Sequence, residues 1–310
     1  MLGAARRDIV GDSADVESHA GGANCKMPGV RAPSPLTPGV VVSLAPGVRR
    51  LVAGNAGLMT GPGTNTYLLG TGEIAVLDPG PPDERHLQCI LEAAGGPIRW
   101  VLVTHTHRDH SPLAARLAEV CGATLLGLAP PGDGRQDVSF RPGREPCDGE
   151  RLAIGDSALT VIHTPGHASN CVCYLHEHER LLFTGDHVLE GVTPVILPPD
   201  GDMSAYMKSI DKLEALAFDR IAPGHGGLIE RGKYMLVALR THRLKRESKV
   251  IRCLEGLGPR SLEELTPAVY DDVPPERHAW ARLTLEAHLI KLVRDGRASE
   301  TNGRWQLLAR

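Results

Sequence analysis

Four potential metal ligands fall within six consecutive residues, in the run His105-Thr106-His107-Arg108-Asp109-His110. The run follows Val101-Leu102-Val103-Thr104, which reads as a buried strand. In extended backbone His105 and His107 project to the same side, with period two. Two imidazoles side by side can hold one metal ion, and Asp109 and His110, on the turn beyond, can face a second. A single histidine at a strand end is ordinarily a packing or surface residue. Three with an aspartate in six positions are not explained by packing. Three later segments have the same character, each a strand end followed by a Gly turn: Thr164-Pro165-Gly166-His167, Phe183-Thr184-Gly185-Asp186 and Ala222-Pro223-Gly224-His225. Together they supply a complete set of ligands for two ions.

In this order the motifs resemble the signature of the metallo-beta-lactamase superfamily, H-x-H-x-D-H followed by a His, a bridging Asp and a last His. The resemblance spans about residues 50–228. It implies an α/β fold, an αββα sandwich with the metals at one edge between the sheets. It also implies that His105, His107 and His167 hold the first ion, that Asp109, His110 and His225 hold the second, and that Asp186 bridges. Asp78-Pro79-Gly80 resembles the family's first motif, whose Asp lies near the metals. His187, directly after Asp186, is the best candidate to support the ligands from behind. Gly61-Pro62-Gly63-Thr64-Asn65-Thr66-Tyr67 and the C-terminal segment look most like the beta-lactamase-like protein 2 group, which makes Asn65 a candidate substrate-binding residue. Known members of that group include endoribonucleases. Where many members have small glycines after the metal motif, this chain has Ser111-Pro112, a change at a helix start rather than at a ligand.

Nitrogen and carboxylate ligands suit two Zn²⁺ per chain, and Mn²⁺ or Fe also accept such a set. Two ions about 3.5–4 Å apart would share a hydroxide, nucleophilic at neutral pH. Asp109 is then the expected catalytic residue, orienting the hydroxide and carrying a proton to the leaving group. No G-x-S-x-G elbow is present, and no Ser or Cys nucleophile is needed.

Positioning these ligands requires strands that end together. Short apolar runs read as strands at 66–69, 74–77, 100–103, 124–128, 159–162, 171–175 and 181–183. Helical patterns lie at 84–94, 112–121 and 204–216. Ser111 is placed to cap the second, Pro112 suits its first position and Gly122 its left-handed end. Residues 233–255, 261–270 and 276–294 read as three helices, and 298–308 as a hairpin about Asn302-Gly303, which is the order of a winged helix. The expected organisation is a disordered N-terminal tail over 1–38, a catalytic domain over 39–240 and a small winged-helix-like domain over 241–310. Met27 is a candidate translation start.

Of 310 residues, 34 are basic and 37 acidic, so no gross basic excess points to nucleic acid. The last 70 residues carry 13 Lys/Arg against 10 Asp/Glu, little for a DNA-binding regulator that must neutralise phosphates. The simpler expectation is that this segment packs beside the active site and shapes the substrate cleft. The 35 Gly and 24 Pro well exceed the usual share of about 12% and favour a turn-rich fold. Seven cysteines without a C-x-x-C pair fit reduced thiols in a cytoplasm, Cys171 and Cys173 as small buried hydrophobes. No apolar run approaches the ~20 residues of a membrane span, and no export signal is visible. The favoured activity is hydrolysis of single-stranded RNA phosphodiesters or a related small-molecule ester. A thioester, as in glyoxalase II, and a lactam are the alternatives, although the lactam reading calls for export. His163, His176 and His178 read as strand or hairpin-tip residues, and His86, His242, His278 and His288 fall in helices without a signal of their own. The oligomeric state is open, a homodimer included.

Overall fold

The computed structural model describes residues 36–155, 157–255 and 258–308. Most of the expected N-terminal tail lies outside these residues. Pro38, inside the expected tail, forms a bridge with Val52.

Six strands form the first sheet, in chain order: β1 (Val42–Ala45), β2 (Val48–Val52), β3 (Asn65–Leu69), β4 (Ile74–Leu77), β5 (Ile98–Leu102) and β6 (Thr124–Leu126). Helix α1 (Glu84–Ala94) carries the chain from β4 to its parallel neighbour β5, and α2 (Pro112–Cys121) from β5 to β6. Such parallel crossovers need a helix between the strands. The second sheet has the order β11-β10-β9-β8-β7, from β7 (Arg151–Ile154), β8 (Ser157–His163), β9 (Val172–His176), β10 (Leu181–Gly185) and β11 (Arg220–Pro223). Helix α3 (Met203–Glu214) precedes β11, and the 23-residue α4 (Gly232–Leu254) follows it.

Period-two side chains divide the strands between layers. Tyr67 and Leu69 of β3 pack with Val161, Tyr174 and Phe183 between the sheets. Leu68 points the other way, onto Leu87 and Ile90 of α1 and Leu113 and Leu117 of α2. Ile162, Cys173 and Leu182 face Tyr206 and Ile210 of α3 and Leu236 and Leu239 of α4. The four layers are therefore helix, sheet, sheet, helix. Strands buried on both faces are near-continuous apolar runs, which is why β4, β9 and β10 are legible in the sequence.

Helix α5 (Leu262–Val269), α6 (His278–Arg294) and the hairpin β12 (Ala298–Thr301) and β13 (Arg304–Leu307) complete the chain as a winged helix. Their own core joins Leu265, Val269, Leu285, Leu289 and Trp305 to Val250 and Leu254 of α4. Ser261 and Glu264 form a reciprocal capping box at the start of α5. The boundary expected at 240/241 falls inside α4, whose first half packs on the second sheet and whose last turns pack into the winged helix. Ser111 does not cap α2 as expected. It sits in helical backbone and its hydroxyl donates to Asp137 Oδ2 at 2.8 Å, while Gly122 does end the helix left-handed. The six described cysteines are free thiols. Among the described residues no helix is long and apolar enough to cross a membrane.

Candidate metal centre

β4 and β5 run parallel, as do β10 and β11, and β8 and β10 are both antiparallel to β9. The C-terminal ends of β4, β5, β8, β10 and β11 meet at one edge of the sandwich. Each ends in a loop bearing a ligand-type side chain: Asp78 after β4, His105 to His110 after β5, His167 after β8, Asp186 after β10 and His225 after β11.

Two clusters result, one of His105, His107 and His167, the other of Asp109, His110, Asp186 and His225. His107 Nδ1 lies 2.9 Å from His105 Nε2 and 3.0 Å from His167 Nε2. In the second cluster His225 Nε2 is 3.3 Å from His110 Nε2 and 3.1 Å from Asp109 Oδ2. Asp186 stands between the clusters. Its Oδ1 is 3.4 Å from His110 Nε2 and 3.3 Å from His225 Nε2, and its Oδ2 is 3.8 Å from His167 Nε2. Gly224 makes this approach feasible, since a Cβ there would stand 2.5 Å from Asp186 Oδ1 and 2.8 Å from His110 Cε1.

The hydrogen bonds behind the rings set their tautomers. Thr104 Oγ1 donates to Asp78 Oδ2 at 2.7 Å, so it must accept from His105 Nδ1, 3.0 Å away. His110 Nδ1 donates to Asp78 Oδ2 at 2.9 Å, His167 Nδ1 to the Val195 carbonyl at 2.7 Å and His225 Nδ1 to the Gly63 carbonyl at 3.1 Å. In their neutral forms all four rings would present an Nε2 lone pair to the cluster interior. This is the arrangement in which a second partner orients a metal-binding imidazole. Asp186 Oδ1 is buried and has no hydrogen-bond partner. An inward-facing carboxylate oxygen and four inward-facing lone pairs fit a divalent cation, and three imidazoles beside a second group of two carboxylates and two imidazoles is a donor set for Zn²⁺, Mn²⁺ or Fe²⁺.

Protonation follows the same division. Burial and the neighbouring His110 and His107 hold His105 well below the usual imidazole range, and burial with His167 pushes His107 down to about 3. For His110 burial opposes the charge, but Asp109, Asp186 and Asp78 outweigh it and raise the pKa well above the ordinary value. His225 is pushed up to about 10, against burial, by Asp186 and Asp109. Cation charge is thus favoured where the carboxylates gather.

The remaining candidates separate. Asp78 braces the site from behind, its Oδ1 accepting from the Thr104 amide at 2.7 Å. His187 does not touch the ligands through its ring. The ring is fully buried, 4.6 Å from that of Tyr206, with neither nitrogen hydrogen-bonded, and burial lowers its pKa to about 3. Asn65 is fully buried and donates from Nδ2 to the Pro223 and Gly226 carbonyls, both at 2.9 Å. It ties down the His225 loop and is closed to a substrate. His176, expected at a solvated tip, is buried with Nε2 2.9 Å from Ser157 Oγ. His163 ends β8, away from both clusters, as its strand position suggested. Sequence reasoning missed Thr104 and the Val195 and Gly63 carbonyls. The carbonyls carry no sequence signal, but Thr104 closes the strand that delivers His105.

The family model described as metallo-beta-lactamase superfamily matches residues 59–225, and one described as beta-lactamase associated winged helix domain matches residues 261–305. A beta-lactamase-like protein 2 homolog of Caenorhabditis elegans is 30% identical over 83% of this chain and 87% of its own length. An atrochrysone carboxyl ACP thioesterase of Aspergillus fumigatus is 31% identical over 75% of this chain and 76% of its own. The crystal structure of a metallo-beta-lactamase family protein from Thermus thermophilus matches with a TM-score of 0.72 at 23% identity, covering 86% of this chain and all of that one.

Proposed function

The chain belongs to the metallo-beta-lactamase superfamily, and on that premise we propose that it is a dinuclear metal-dependent hydrolase acting on acyl thioesters. The observation that carries the reading is Asp186, whose two oxygens face different histidine clusters across one buried carboxylate. His105, His107 and His167 would hold one ion, Asp109, His110 and His225 the other, with Asp186 shared. Bound there, divalent ions supply Lewis acidity and a water acidified enough to attack at neutral pH. Asp78 and Thr104 keep the rings oriented throughout. Asp109 is the most exposed of the three carboxylates, its side chain 26% accessible against 12% for Asp186 and 2% for Asp78. It is therefore the group that can exchange a proton with an incoming water or a departing thiol.

The thioester class draws support from the thioesterase relative and from the surroundings of the site. Leu58, Met59, Val138 and Val192 are all exposed apolar side chains. Each sits on a loop hydrogen-bonded into the centre: 54–64 through Gly63 to His225, 127–144 through the Asp137 amide to the Thr106 carbonyl, and 187–195 through Val195 to His167. Apolar loops around a polar centre suit an acyl group better than a phosphodiester backbone. Cleavage of single-stranded RNA is a second reading. It is favoured by a cavity of about 620 Å³ along α4 that includes Lys245, Lys249 and Arg252.

The test is a panel on metal-reconstituted protein: an aryl-acyl thioester, a single-stranded RNA and a chromogenic lactam. Thioester turnover that His105→Ala abolishes is the expected result. RNA cleavage without thioester turnover overturns the substrate class.

A further inference from the structure

Arg243 lies on α4, outside every segment that supplies a candidate ligand, yet it is 3% exposed and reaches the back of the metal centre. Its Nη2 donates to the Pro194 carbonyl. The next residue, Val195, accepts the Nδ1 hydrogen bond that orients His167. The Arg243 guanidinium also lies over the Tyr206 ring, 5.2 Å from its centroid. The Tyr206 hydroxyl donates to the His187 carbonyl at 3.1 Å, one residue beyond Asp186. Tyr206 is in addition the wall against which Gly166 turns, since a Cβ at Gly166 would collide with the Tyr206 Cα, and Gly166 delivers His167. One side chain thus touches both the loop that fixes the His167 ring and the residue that backs the Asp186 and His167 turns.

We propose that Arg243 is a positioning residue for the metal centre, a clamp from α4 that holds His167 and Asp186 in their ligand orientations through Pro194–Val195 and Tyr206. A planar guanidinium suits this double task, with directed donors at its rim and a flat face for the aromatic ring. A lysine at this place has a point charge and no flat face. The consequence is that α4, continuous with the winged helix, sets the geometry of the site. The winged helix then serves the centre mechanically, whatever it does for substrate. His187, His288 and His242 each have an unpartnered buried nitrogen, as does Arg243 itself at Nε.

This inference rests on the reading that His167 and Asp186 bind metal, and the experiment separates the two. Wild type, His167→Ala, Arg243→Lys and Arg243→Met are loaded with Co²⁺. Ion affinity is measured by chelator competition, the visible spectrum is recorded, and thermal midpoints are taken without metal. If wild type binds no ion, or His167→Ala keeps full affinity, the metal reading fails. Given that it holds, Arg243→Met should weaken the ion at the His167 cluster by roughly the 10–100-fold found when partners behind metal ligands are lost. Its Co²⁺ spectrum should change, and the ion at the Asp109 cluster should weaken less. Arg243→Lys should recover only part of the loss. Equal weakening of both ions in step with a lowered midpoint, or unchanged affinities and spectrum in both Arg243→Met and Arg243→Lys, overturns the proposal.

Discussion

Asp78 Oδ2 accepts from His110 Nδ1 at 2.9 Å, and both side chains are almost completely buried. The pair fixes which His110 nitrogen faces Asp186 and Asp109. Asp78 holds an unusual backbone to do so, with φ of +50° in a residue other than glycine. Backbone of this kind persists where surrounding contacts over-determine it. Here those contacts are the Thr104 amide and hydroxyl, both bound to the Asp78 carboxylate.

Asp78→Ala should therefore weaken the ion at Asp109, His110 and His225 by about 10–100-fold, with a smaller effect at His105, His107 and His167. It should also lower stability by about 1–3 kcal/mol, because the buried Thr104 amide loses its acceptor. Chelator competition and denaturant unfolding read the two effects. Unaltered affinity for both ions would show that His110 orients without Asp78.

Asp186 offers its two oxygens to different clusters. Purified, reconstituted protein should carry close to two ions per chain by elemental analysis, and Asp186→Ala no more than one. Retention of both ions by that variant would remove Asp186 from the bridging position.

The residues of the two candidate clusters were legible because a metal site needs specific residue types at strand ends, and each of them follows an apolar run. Strands β4, β9 and β10 were legible for a related reason, since burial on both faces leaves no polar interruption. β2 was hidden because Arg49 and Arg50 interrupt Val48-Arg49-Arg50-Leu51-Val52. Both arginines are structural: Arg49 donates to the Ala93 and Ala94 carbonyls at the end of α1, and Arg50 is 1% exposed. Asn65 was misread for a comparable reason. Its amide type suits a substrate contact, but its two donors are spent on the Pro223 and Gly226 carbonyls, 158 and 161 residues away. Nothing local in a sequence reports partners at that distance. The same is true of Arg243 and Pro194.

Acid should destabilise the fold partly through His86. Its Nε2 lies 2.8 Å from Thr66 Oγ1, which itself donates to the Asp78 carbonyl, so Nε2 is the donor here. Burial, opposed only by Asp83, lowers its pKa to about 4. An unfolded histidine titrates near 6.5, so the unfolded state takes up a proton the folded state refuses. Stability from the neutral ring is fully present above pH ~6.5 and is lost as pH falls from there toward about 4. Denaturant unfolding of metal-loaded wild type and His86→Gln across pH 4–7 checks this. Wild type should lose stability more steeply, by up to about 1.4 kcal/mol per pH unit for one proton. Parallel curves would show that His86 titrates alike in both states.

Asp109 and His225 are neighbours in one cluster, Oδ2 to Nε2 at 3.1 Å, but their exposure differs, and on the proposed reading so do their tasks. His225 is buried, with its second nitrogen committed to the Gly63 carbonyl. On that reading it would do little beyond holding an ion. Asp109 is open enough to meet solvent and substrate, and the His110 and His225 rings keep its carboxyl below the usual range despite burial. Asp109→Asn keeps an oxygen donor of similar shape but cannot accept a proton. It should lower kcat by the 10²–10⁴-fold typical of a lost general acid–base group, and excess metal should not restore it. His225→Ala removes a ligand alone, so its activity should climb part of the way back as metal is raised. The comparison is kcat against metal concentration for both variants on the substrate the panel identifies. Restoration of Asp109→Asn to near wild-type turnover by metal would reduce Asp109 to a ligand and assign the proton elsewhere.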